Sequence, residues 1–145
     1  MNSKISDKRF EEERDLLRNK ATRITLCEKS FYHFIIYYFE SSIRYPELAP
    51  YHFERFRVAQ GWRSMYVEWQ RESAKSTFLG LALECWKICY QKADFICNIC
   101  YNKTKATAFN KMLAAELSLN KRIKSDFWLL FSKRKAVFDK DEVIP

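Results

Sequence analysis

Two apolar runs flank a long apolar stretch in the middle of this chain, and that order is the strongest constraint on its fold. Residues 65–69 read MYVEW, residues 78–89 read FLGLALECWKIC and residues 94–101 read DFICNICY. The first run has strand character. The last is nearly continuously apolar, as a central parallel strand buried on both faces should be. Between them, Phe78, Leu79, Leu81, Ala82, Leu83, Cys85, Trp86, Ile88 and Cys89 fall nearly all round a helix from Lys75 to about Gln91, which predicts burial between two layers. Strand, helix, strand is a βαβ unit. The expected class is α/β, a parallel sheet flanked by helices and preceded by an N-terminal helical segment.

The junction inside this unit, residues 69–77, reads WQRESAKST. A strand, a bend, Lys-Ser/Thr and a helix are the parts of a P-loop. Its backbone N–H groups turn inward around phosphate oxygens, its lysine reaches the outer phosphates and its hydroxyl ligates Mg²⁺. The helix N-terminus adds unpaired N–H groups and a favourable dipole for an anion. Lys75 and Ser76 take the Lys-Ser/Thr positions. Trp69 and Ala74 stand where the strict pattern has glycines, which are usual there for their positive φ and close approach to phosphate. The competing reading is a solvated helix start capped by Ser73, with no ligand.

Bulk properties set the limits. The chain has 145 residues, 48% apolar and 17% aromatic, with only two glycines and three prolines. One folded domain with a real core is expected, divided into a helical lead-in (1–60) and an incomplete P-loop ATPase subdomain (61–145). Lys and Arg number 26 against 18 Asp and Glu, a net charge of +8. Such a surface suits a polyanion or an acidic partner. The N-terminus is charged and lacks an apolar signal core. The apolar stretch 31–39 (FYHFIIYYF) is far shorter than the ~20 residues a membrane span takes. A reducing cytoplasmic setting is expected, with the five cysteines as free thiols.

Residues 1 to about 44 read as helical, charged at first, with Phe10, Leu16 and Leu17 as anchors, then strongly aromatic from Ser30. Pro46 and Pro50 bracket a break. A short helix is expected over 51–59, ended by Gly61. Asn102 or Thr104 caps a helix to about Leu117. Residues 119–124 read as a basic loop, 126–131 are aromatic and apolar without a clear state, and 136–138 suit a third short strand.

Taken together, the bend, its helix, the second apolar run and the stretch ICYNKTKATAFNKMLAAELSLN resemble the ATPase domain of tailed-phage terminase large subunits, over about residues 45–125. That family often carries -R-x-x-(G/A)-K-S/T-T in its P-loop, and Arg71, Ala74, Lys75, Ser76 and Thr77 stand at those places. The upstream PELAPYHFERF is similar to the family's lead-in. The resemblance implies ATP and Mg²⁺ as cofactors, cupped by Gln70, Arg71, Glu72, Ser73, Ala74, Lys75, Ser76 and Thr77. By the same likeness Lys75 holds the β and γ phosphates, Ser76 ligates Mg²⁺ and Thr77 lies near the α phosphate. Arg71 would be catalytic, neutralising charge that develops on the γ phosphate. Without the family, Arg71 reads as a surface arginine pairing with Glu68 or Glu72. Implied partners are double-stranded DNA, the rest of the large subunit, the small terminase subunit and the portal.

The chain departs from the family in lacking a Walker B strand and a nuclease domain. Asp139, Asp141 and Glu142 do not follow four apolar residues. Nucleotide binding with very weak turnover is the expectation, and a sheet cut after two or three strands predicts marginal stability or self-association. The alternative is a non-catalytic basic module that binds nucleic acid or a protein partner. Lys103, Lys105, Lys111, Lys121, Arg122, Lys124, Lys133, Arg134 and Lys135 would serve it, or form only a solvated face. Cys85, Cys89, Cys97 and Cys100 invite a zinc site, but strand positions three apart point to opposite faces, and buried apolar cysteines compete with it. His33 reads as a satisfied core histidine. His52 reads as a helix-start or surface residue, or a contact for an adenine ring.

Overall fold

The computed structural model describes residues 12–42, 50–61, 68 and 74–132. Every regular element among them is helical, and no strand is found. The expected α/β class with a parallel sheet is therefore corrected. Residues 94–101, expected as a buried central strand, lie outside any helix or strand and expose most of their apolar side chains. A strand exists only as part of a ladder whose partners take up its N–H and C=O groups. No backbone hydrogen bond joins these residues to another described residue. Of the first expected strand only Glu68 is described, and it is not in a strand. Residues 133–138 lie outside the described residues.

The chain divides into two compact units, Met1–Leu83 and Glu84–Pro145. In the first, residues 12–16 are helical and are followed by α1 (Lys20–Lys29) and α2 (Phe31–Tyr38), a 3-10 turn (Glu40–Ser42) and α3 (Pro50–Gly61). Asn19 caps α1 by accepting the Thr22 N–H at 3.1 Å. Ser30 breaks the helix. Its N–H closes α1 on the Leu26 carbonyl, and its side chain opens α2 on the His33 N–H. Gln60 of α3 clamps this break, accepting the Phe31 N–H at 3.0 Å and donating to the Lys29 carbonyl at 2.5 Å.

The sequence of α2, FYHFIIYY, is apolar on nearly every face, and Phe31, Phe34, Ile35, Ile36 and Tyr38 are buried. An edge-to-face chain of rings runs from Phe31 to Phe56 of α3 (5.6 Å) and on to Phe78 (5.5 Å). Each such pair adds about 0.5–1.5 kcal/mol to the burial of its rings. Among the described residues of this unit, Arg23 is a buried charge. Its guanidinium donates to the Leu17 and Arg18 carbonyls at 3.0 and 3.2 Å and lies 4.6 Å from the Tyr37 ring. Leu17 is buried as expected, whereas Leu16 is exposed and Phe10 lies outside the described residues.

A π-helix (Ser76–Ala82) runs directly into α4 (Leu83–Cys89). A Schellman motif closes α4: Gln91 adopts φ 51°, its N–H reaches the Ile88 carbonyl, and the Lys92 N–H reaches the Lys87 carbonyl. The second unit continues with α5 (Lys103–Leu119) and α6 (Lys121–Ser132), which pack on each other. Asn102 caps α5 on the Lys105 N–H at 2.9 Å. Residues 121–124, expected as a loop, are the first turn of α6. Asn120 explains the difference. Its N–H ends α5 on Glu116, and its side-chain oxygen accepts the Arg122 and Ile123 N–H groups, so one residue both closes and opens a helix. Phe127 leaves helical geometry inside α6 (φ −113°, ψ 18°) and packs edge-to-face on Tyr90 at 5.1 Å. No helix among the described residues is long and apolar enough to cross a membrane.

Candidate functional site

The expected phosphate bend is described from Ala74 onward. Gln70, Arg71, Glu72 and Ser73 lie outside the described residues. Ala74 adopts φ 54°, in the left-handed region that L-residues enter at a cost of about 1–2 kcal/mol. Lys75 follows directly in helical geometry (φ −51°, ψ −49°), and the Ala74 carbonyl accepts the Phe78 N–H at 2.9 Å. The chain therefore turns sharply at the residue standing where the P-loop pattern has its second glycine, and a helix starts one residue later. Gln91 is the one other described non-glycine residue with positive φ, and its Schellman bonds account for it. Backbone strain that such a motif does not explain concentrates at functional sites.

Lys75 and Ser76 are exposed and Thr77 is half-buried. Lys75 makes no side-chain capping bond to the helix start. The first turn then offers an ammonium and helix N–H groups at the positive end of a dipole, donors suited to phosphate oxygens, and one hydroxyl oxygen of the type that ligates a hard cation. From Ser76 to Ala82 the chain is wound as a π-helix, a rare geometry often found at functional sites.

The lead-in helix α3 reaches this region through aromatic contacts. His52 stacks on Phe56 (6.0 Å, 22°), meets Tyr51 (4.2 Å) and packs edge-to-face on Phe78 (5.8 Å). His52 is thus half-buried against Phe78, which follows Lys75 by three residues in the sequence, and Tyr51 beside it is exposed. The sequence left His52 among a helix start, a surface position and a base contact; its spacing alone gave no sign of Phe78. His33 is not a satisfied core histidine. Its Nδ1 is buried without a hydrogen bond, and burial holds its pKa below the ordinary value while Glu13 pulls the other way.

The cysteines separate into two classes. Cys27, Cys85 and Cys89 are buried, and burial pushes the Cys85 and Cys89 thiols far above their ordinary value. Cys97 and Cys100 are exposed. No group of three or more His, Cys, Asp or Glu able to hold a metal ion is found among the described residues. The lysines and arginine 103, 105, 111, 121, 122 and 124 are exposed on α5 and α6, and residues 133–135 lie outside the described residues. One pairing was missed in the sequence: the Lys105 ammonium lies 5.2 Å from the centre of the exposed Tyr101 ring. No protein-family model, curated protein or solved structure matches this chain.

Proposed function

We propose that the bend ending at Ser76 binds the triphosphate of ATP with Mg²⁺, and that the chain is the ATP-binding N-terminal part of a DNA-packaging motor of the terminase large-subunit kind. The carrying observation is Ala74 in the left-handed region immediately before an exposed Lys75 and Ser76 at a helix start. Lys75 neutralises the outer phosphates, Ser76 supplies a hydroxyl to the cation, and the first-turn N–H groups point at the anion. In this reading Arg71, four residues before Lys75 in the sequence, would add a further positive charge. Tyr51, tilted against His52 at 4.2 Å, and His52, packed edge-to-face on Phe78, would offer the base a ring surface in this reading. Bound Mg²⁺ supplies charge neutralisation across the phosphate oxygens.

Titration with a fluorescent ATP analogue in the presence of Mg²⁺ tests this. Wild type should bind saturably and Lys75→Ala should not. Equal binding by the two, or none by either, removes the proposal. A second reading, a basic module for nucleic acid, is favoured by the Lys105–Tyr101 pair and by exposed Trp128 on the same helix as Lys121 and Lys124. Stacking rings beside phosphate-binding lysines suit a single strand. Affinity for a single-stranded oligonucleotide should then fall steeply as salt rises.

A further inference from the structure

Residues 93–101 expose a row of large apolar side chains outside any described helix. They follow the Schellman turn at Gln91 and precede the Asn102 cap, so both ends are fixed by folded structure. Between those ends no backbone hydrogen bond reaches another described residue. Phe95, Ile99 and Tyr101 are 82%, 92% and 79% exposed. Exposure alternates along the first half of the segment, with Phe95, Cys97 and Ile99 outward and Ile96 and Asn98 half-buried. That is the two-residue period of a strand. Asn98 is the inward anchor, its amide donating to Glu84 at 3.0 Å and to Asn110 at 3.2 Å. A row of outward apolar side chains over unpaired backbone groups is the template on which another strand docks.

We propose that this segment pairs antiparallel with residues 95–101 of a second copy of the chain, about a two-fold axis at Asn98. The segment is self-complementary in that register. Phe95 lies across from the Tyr101 of the other copy and Cys97 across from its Ile99, each contact occurring twice. Aromatic and branched cross-strand pairs of this kind stabilise antiparallel ladders. No charge occurs from Phe95 to Asn102, so two copies of a +8 chain meet here without burying one. At the ends, Asp94 lies across from Asn102 and beside Lys103 of the other copy. A parallel alignment would instead set Lys103 against Lys103 and Asp94 against Asp94. Attachment at Asn98 and at both flanking turns holds the strand in place beforehand, which offsets part of the ordering that makes isolated two-stranded ribbons weak.

The experiment is sedimentation velocity of the full chain across a concentration series, with amide hydrogen exchange followed at 95–101. Three variants accompany it: Phe95→Glu, Tyr101→Lys and the double substitution. These positions are exposed, and an unchanged helical circular dichroism signal confirms folding. The expected result is a weak, concentration-dependent dimer whose 95–101 amides gain protection as it forms. Each single variant weakens the dimer, and the double variant restores it, because opposite charges then face each other across the two-fold. A monomer at every concentration overturns the proposal, as do open-ended aggregates or a dimer with unprotected 95–101 amides. Single variants that dimerise like wild type, or a double variant that is not restored, also overturn it. None of these outcomes depends on whether ATP binds.

Discussion

Single residues hold the least forgiving positions. Arg23 donates to two carbonyls and faces a tyrosine ring from inside the first unit, so its removal takes this donor from a buried and a part-buried acceptor. Arg23→Met should lower stability by about 1.5–3 kcal/mol in urea unfolding, the range for hydrogen bonds to a charged group. Thiol reactivity follows burial in the same way. A thiol-reactive disulfide reagent should label Cys97 and Cys100 quickly in the native chain, and all five cysteines only after unfolding. His33 brings a pH dependence. Its pKa is lowered from the ordinary 6.5 in the fold, so the unfolded chain takes up a proton at higher pH than the folded one. The stability it contributes is present above that ordinary value and is lost as pH falls through it. The melting temperature should therefore drop from about pH 7 to about pH 5, and His33→Phe should flatten that part of the profile. Glu84 acts in the opposite direction. Burial raises its pKa against the pull of Asn98 and Lys87, so its contribution is lost as pH rises.

At the scale of elements, helix ends were the most legible feature and the long apolar runs the least. Asn102 as a cap, the helix over the residues around Phe53 and Phe56, and the helix from Lys75 follow from local chemistry that a sequence carries openly: capping side chains, proline and periodicity. Residues 94–101 have the composition of a buried strand, yet whether such a run pairs depends on a neighbour far away in the chain. The basic stretch 119–124 hid a helix start because lysine and arginine mask the role of Asn120. Asn120→Ala should lower stability by about 1–2 kcal/mol, measured by thermal or urea unfolding, since it removes a cap from α6 and the tie to Glu116 together.

For the whole molecule, composition correctly indicated enough apolar and aromatic residues for a real core, but the core is built from helices. The aromatic series from Phe31 through Phe56 to Phe78 connects the N-terminal helices to the start of the π-helix, and no periodicity count could have joined residues so far apart. Of the expected site, residues 74–77 are the described part. Ala74, Lys75 and Ser76 pointed to a sharp turn before a helix, and the left-handed Ala74 is what gives that expectation physical content. Ala74→Gly relieves the strain there without touching Lys75. The most direct measurement is therefore Mg²⁺-dependent binding of a fluorescent ATP analogue to wild type, Ala74→Gly and Lys75→Ala. Wild type and Ala74→Gly should bind, and Lys75→Ala should be weaker by at least about tenfold, or ~1.4 kcal/mol. Binding that is absent in wild type, or undiminished in Lys75→Ala, would contradict a phosphate site at this bend.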